Sequence, residues 1–400
     1  MNTVFPARSR QRRMVGVTLI ELMVALAIGS LLMLGVVQVF SASRSAYMTA
    51  EGMGRVQENA RFAIDFLQRD IRLAGHFGCV NDQAHQVKGA GDLEVHFGSS
   101  ASPLEANDPR NFNFSIKGYE ATDTAPGRSV TIGAATANWT PELPDAINVL
   151  DPLPGSDIVA LRYLVNDGVP VTALAAGGAG GTNTLVTFPA ARSEALTEGG
   201  VASPELFGVA DCARVNVFPR SAINLAGGTV TSGNDSSFAN RYTAQPNGQT
   251  RMYRAESIVY YVARGASGEP ALWRARANAA GAFPAVDREE LVEGIESLQL
   301  LYGRDATATI NQTTPPSGNI TLQDTANTLA DDRNEWLRVG LVQVGILARS
   351  PGPASSVDPA DNNRQPRVLG VRFAPPATSD QRYRSSYEVT VALRNRLFGN

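Results

Sequence analysis

An uncharged, mostly apolar run from Leu22 to Ser43 constrains this chain more than any other stretch. A helix of about 20 residues at ~1.5 Å each crosses a hydrocarbon layer of ~30 Å, so the run predicts a membrane-spanning helix. Arg8, Arg10, Arg12 and Arg13 precede it with no acid among them. That charge bias predicts a cytoplasmic N-terminus, with everything after Phe40 on the periplasmic or outer side. Glu21 sits at the front edge of the run. A carboxylate in lipid costs on the order of 3 kcal/mol on insertion scales, so it calls for a partner or a role.

The residues leading into the run are Gly16-Val17-Thr18-Leu19-Ile20-Glu21. This stretch resembles the processing site of type IV prepilins and type II secretion pseudopilins. The resemblance implies cleavage after Gly16 by a prepilin peptidase, N-methylation of the new terminal residue Val17, and a role for Glu21 in assembly. Val17 departs from the family's usual Phe. Cleavage would free an α-amino group that is charged near neutral pH. Glu21 of one subunit could then meet the amine of its neighbour, a pair that sets register more than it stabilises, because desolvation offsets much of the attraction. A plain signal anchor with an incidental Glu21 is one alternative. A secretory signal cut near Ser41-Ala42-Ser43 is another, although the apolar run exceeds the ~7–15 residues of such signals.

No proline interrupts Val17 to Ala74. Val56, Ala60, Ala63, Ile64, Leu67, Ile71 and Ala74 recur at steps of mostly three and four, while Arg55, Glu58, Arg61, Asp65, Arg69 and Arg72 cover the other side. That pattern predicts one helix of roughly 85 Å from membrane to head, apolar all round at first and amphipathic later, packed on a sheet by its stripe. Gly75 is placed to end it as a C′ glycine. A bend would fall at Gly29, Gly35 or the Gly52/Gly54 pair, which could equally serve close helix approach.

Three further segments carry a second resemblance. Leu67 to Cys79 is similar to the end of the stalk helix in PilW-type minor pilins. Leu291-Val292-Glu293-Gly294-Ile295-Glu296 resembles an element shared by PilW and the J-type pseudopilins. The ending from Tyr387 to Leu397 resembles PilW C-termini. The fold this implies is α+β and pilin-like, a long N-terminal helix packed on an antiparallel sheet with large loops. The organisation expected is a leader over residues 1–16, a membrane half of the helix over 17–43, an amphipathic half over 44–75, and a β-rich periplasmic head over 76–400.

Within the head, strands are expected at Val130–Ile132, Asp157–Val165, Thr184–Phe188 and Val215–Phe218. A hairpin is expected from Ser257–Arg264 and Ala271–Ala275, and a turn at Gly294 leads into a strand or, in competition, a short helix. Trp336–Ala348 reads as a central strand and Tyr387–Leu397 as a closing one. Ala175–Gly181 reads as a flexible turn, Ala222–Gln249 as an exposed insertion, and Thr307–Asp332 and Ser350–Arg364 as polar loops.

The chain has only two cysteines, Cys79 and Cys212. An even pair in an oxidising compartment predicts one disulfide, with two buried free thiols as the alternative. His76, His85 and His96 fit no zinc spacing. Asp331-Asp332 and Asp358/Asp361 lack EF-hand spacing and read as solvated turns rather than a calcium loop. No nucleophile elbow or metalloprotease helix occurs. Tyr260, Tyr261, Trp273, Trp336 and Tyr387 read as core, and Arg394 and Arg396 as a solvated face. With a net charge of −3 the chain has no basic excess for nucleic acid. The expectation is therefore a non-enzymatic pilus component without cofactor, metal or small-molecule substrate. Its partners would be the prepilin peptidase, other minor pilins, the major pilin and the inner membrane. A J-type pseudopilin of type II secretion and a signal-anchored periplasmic binding protein or enzyme are the competing readings.

Overall fold

A computed structural model of the chain describes residues 16–81, 92–97, 104–165, 167–311, 314, 316–329, 331–354 and 365–396. The chain divides into two compact units, Met1–Glu51 and Gly52–Asn400. The helix Leu19–Leu73 is 55 residues long. In the first unit its side chains from Leu19 to Phe40 are all exposed. Residues as large as Leu31 and Phe40 have no internal partner surface there.

In the second unit the same helix turns amphipathic. Gly52, Val56, Ala60, Ala63, Leu67, Asp70 and Ile71 are its buried residues, one stripe at three- and four-residue steps. Gly52 is a close approach: a Cβ there would lie 2.6 Å from the Ala354 Cβ and 3.2 Å from the Ser350 Cβ. The helix ends at Gly75 with a φ of 75°, which glycine adopts without a Cβ penalty. The side-chain amide of Asn395 donates to the last carbonyls, Arg72 O at 3.1 Å and Ala74 O at 3.4 Å.

The head is built on two sheets. The larger has 13 strands, among them Ile116–Ala121, Ile158–Leu164, Arg251–Arg264 and Pro270–Arg276. The smaller runs in the order Ile320–Asp324, Ile295–Asp305, Val339–Pro353, Arg382–Ala392, antiparallel throughout. One core joins them. The helix stripe packs with Val159, Leu161, Ile258 and Tyr260 from the large sheet and with Leu298, Tyr302, Val342, Val344 and Ile346 from the small one. Alternation along Val342-Gln343-Val344-Gly345-Ile346 sends every second side chain to that core.

The chain passes from one sheet to the other at Gly294, between strands Arg288–Glu293 and Ile295–Asp305. Its φ is 81°, and a Cβ there would sit 3.0 Å from the Arg349 carbonyl. Asn59 of the helix donates to Glu293 O at 2.9 Å beside this corner. The strand after Gly294 is therefore extended, not helical. The expected hairpin forms, with Arg264 paired to Pro270.

Several expectations change. Trp336 belongs to a one-turn helix, Arg333–Leu337, because the Asp332 side chain caps it by accepting the Asn334 N–H; the strand starts at Val339. Ala173–Gly177 is a strand, not part of a flexible turn, since it pairs along its length with Asn183–Thr187. The segment 222–249 is no exposed insertion. It contains the strand Thr229–Ser232, and Phe238 and Tyr242 are buried against Phe207 and Phe218. The polar stretch 307–332 holds the edge strand Ile320–Asp324. The ending turns into a 3-10 helix at Arg394–Arg396. The wholly buried strand Ile116–Ala121 is not among the expected strands. Most of the Ser350–Arg364 loop, Asp358 and Asp361 included, lies outside the described residues, as does His85.

Candidate processing and assembly site

The helix begins at Leu19, which makes Thr18 its N-cap. The Glu21 N–H donates to the Thr18 hydroxyl oxygen at 3.3 Å. In return the Glu21 carboxylate accepts the Thr18 N–H at 3.0 Å and the Thr18 hydroxyl at 2.9 Å. This reciprocal arrangement is a capping box: Thr-x-x-Glu satisfies two donors that a helix N-terminus otherwise leaves bare, and the acid sits at the positive end of the helix dipole. Glu21 is thus held by its own chain while its surroundings stay exposed, Val17 at 74%, Leu19 at 77% and Ile20 at 70%.

Gly16 behaves differently from Gly75 or Gly294. Among the described residues, a Cβ placed on it meets nothing within 4 Å. Space among the described residues does not demand glycine there. The helix that follows is long and apolar enough to cross a membrane.

At the head end, Asp70 is the buried charge on the helix stripe. Its Oδ2 accepts the Tyr260 hydroxyl at 2.6 Å and Arg274 Nη1 at 3.1 Å, and Arg274 also reaches Glu289 at 2.7 Å. Burial, and then the Asp70 charge, hold the Tyr260 hydroxyl well above its ordinary pKa. Sequence reasoning passed over Asp70, although its position three residues after Leu67 puts it on the apolar stripe. Cys79 and Cys212 are bonded, with Cα atoms 4.7 Å apart and a sequence separation of 133. The bridge ties the segment behind the helix to the turn that follows the strand Leu206–Ala210.

The remaining sequence candidates have structural partners. His76 Nδ1 lies 2.7 Å from Leu164 O, and His96 contacts Asn216 and Glu94. Asp331 pairs with the buried Lys117 at 2.7 Å. Tyr261 and Trp273 stack at 6.4 Å, and Trp336 meets Tyr302 edge-on at 5.1 Å.

A model of the prokaryotic N-terminal methylation motif matches residues 16–37, the capping box and the first half of the apolar helix. A second model, the type IV pilus-assembly protein W family, matches residues 259–395. The chain carries a PilW domain behind a prepilin-type methylation motif. Neither a curated protein nor a solved structure matches it. The PilW domain spans the Gly294 corner and all four strands of the four-stranded sheet, and it contributes Tyr260, Arg274 and Asn395 to the end of the long helix. It shares the packing of the helix stripe with Val159, Leu161 and Ile258, which precede it in the chain. The family is a component of pilus assembly, which relates this chain to the type IV pilus.

Proposed function

We propose that this chain is a minor pilin that is cut after Gly16, N-methylated at Val17, and used to seed or cap a type IV pilus filament. Gly16 carries the reading: it stands at the matched motif and no contact among the described residues requires it. A peptidase that accepts only a minimal side chain at the cut supplies the missing reason. The helix then waits in the inner membrane with the head on the periplasmic side. Thr18 holds the Glu21 carboxylate until a neighbouring subunit's terminal amine takes its place. Exchange of one set of donors for a charged one keeps the acid satisfied through both stages, which matters because an unpaired charge in lipid is costly. The partners are the prepilin peptidase, other minor pilins and the major pilin, and the work is assembly rather than catalysis.

The test is Glu21→Ala in cells that depend on this gene for piliation. Membrane levels of the processed protein should match wild type while surface pili fall. Wild-type pilus counts would remove Glu21 from assembly.

A further inference from the structure

The four-stranded sheet has a second face. Leu300 and Tyr302 point into the core shared with the helix, as do Val342 and Val344, so Leu301 and Gln343 between them point the other way. A small three-stranded sheet, Arg367–Val368, Val371–Ala374 and Ser129–Thr131, covers part of that face through Val130, Leu347, Val368, Val371 and Phe373. It settles directly on Gly345, where a Cβ would lie 2.4 Å from Val368 Cγ1 and 2.8 Å from Leu369 Cγ. Beside this cap a groove of about 580 Å³ stays open, lined in part by Leu301, Gln323, Asp324, Gln343, Leu369 and Glu388.

The sheet order gives the groove its span. Asp324 ends one edge strand and Glu388 lies on the other, with two strands between. Three strand spacings of ~4.8 Å make about 14 Å, the reach of roughly four extended residues at ~3.3 Å each. The floor alternates apolar and amide groups. Among the described residues the side-chain amides of Gln323 and Gln343 are engaged by no hydrogen bond. Each amide offers a donor and an acceptor, as a peptide main chain does. None of the described lining residues is aromatic, so among them a sugar ring has no stacking surface. The charge is lopsided. Asp324 is neutralised by Arg304 at 2.6 Å, whereas Glu388 accepts only the Leu369 N–H, at 2.7 Å, among the described residues.

We propose that this groove seats an extended segment of another polypeptide, about four residues long, with a Lys or Arg side chain against Glu388. The inference stands on the groove alone and goes beyond the pilus reading.

A display library of fully randomised hexapeptides, panned against the full-length protein in detergent micelles, tests it. Recovered peptides should be enriched in Lys or Arg at one position by about threefold to fivefold, the size expected of a partly exposed ion pair. Glu388→Gln keeps an acceptor for the Leu369 N–H and should abolish that enrichment without moving the melting temperature. Gln323→Leu, on the exposed edge strand, should lower total recovery and leave the basic preference intact. No enrichment over empty micelles overturns the proposal. So does a basic preference that survives in Glu388→Gln, or a pool without basic preference.

Discussion

The Tyr260 hydroxyl donates to Asp70 Oδ2 across 2.6 Å, inside the seam where the long helix meets the large sheet. Asp70 is 2% exposed and Tyr260 is fully buried, so the bond forms in surroundings that neither group tolerates unpaired. Arg274 completes the site from the neighbouring strand.

Truncating Asp70 to Ala should therefore cost about 1.5–3 kcal/mol, because Tyr260 and Arg274 lose a charged acceptor while Tyr260 keeps the Phe66 carbonyl at 3.3 Å and Arg274 keeps Glu289. Tyr260→Phe should cost only about 1–1.5 kcal/mol, since Arg274 still answers Asp70. Denaturant unfolding of the purified protein measures both. A double mutant whose loss equals the sum of the single losses would show the two side chains to be uncoupled.

Removal of the Cys79–Cys212 bridge should lower stability by roughly 4–5 kcal/mol in the chain-entropy account, given its sequence separation of 133. Cys79→Ser and Cys212→Ser should melt alike, and reductant should bring wild type down to the same point. A reduced wild-type protein that melts unchanged would deny the bridge any stabilising role.

Glu120 and Asp157 meet in the seam between the large sheet and the strand Ile295–Asp305. Asp157 Oδ1 accepts the Ala121 N–H at 2.9 Å, and Oδ2 accepts the Leu300 N–H at 2.8 Å. Burial raises both carboxyl pKa values, and for Glu120 the neighbouring Asp157 charge raises it further. A folded-state pKa above the unfolded one means that the native protein holds protons which the unfolded chain releases. The contribution is complete below the ordinary carboxylate range near pH ~4 and is lost as pH rises through the raised values. Stability should therefore fall between about pH 5 and 8.5, and Glu120→Gln should flatten the slope and gain roughly 1–2 kcal/mol at the alkaline end. A wild-type melting temperature that climbs across this range would contradict the assignment.

The helix and its partner surface were legible because a single period runs from Val56 to Ala74, uninterrupted by proline. The corner at Gly294 was legible as a turn because only glycine takes its φ of 81° so close to the Arg349 carbonyl. Elsewhere long-range pairing overrode local composition. Ala173–Gly177 has no strand signal of its own and is extended because Asn183–Thr187 pairs with it. Phe238 and Tyr242 sit in a polar segment yet pack edge-to-face at 6.0 Å within a core cluster. At Trp336 the apolar run masked an available cue, the acidic cap Asp332 with Glu335 three residues later. In the site, the Thr18-x-x-Glu21 spacing was visible, but its capping geometry emerged only from the coordinates.

The most direct test of the account is the N-terminus of the protein isolated from its own cells. Intact-mass and N-terminal peptide measurements should find a chain that begins at N-methylated Val17. A product that begins at Met1, or one cut near Ser43, would contradict the proposal that this helix is processed and assembled as a pilin.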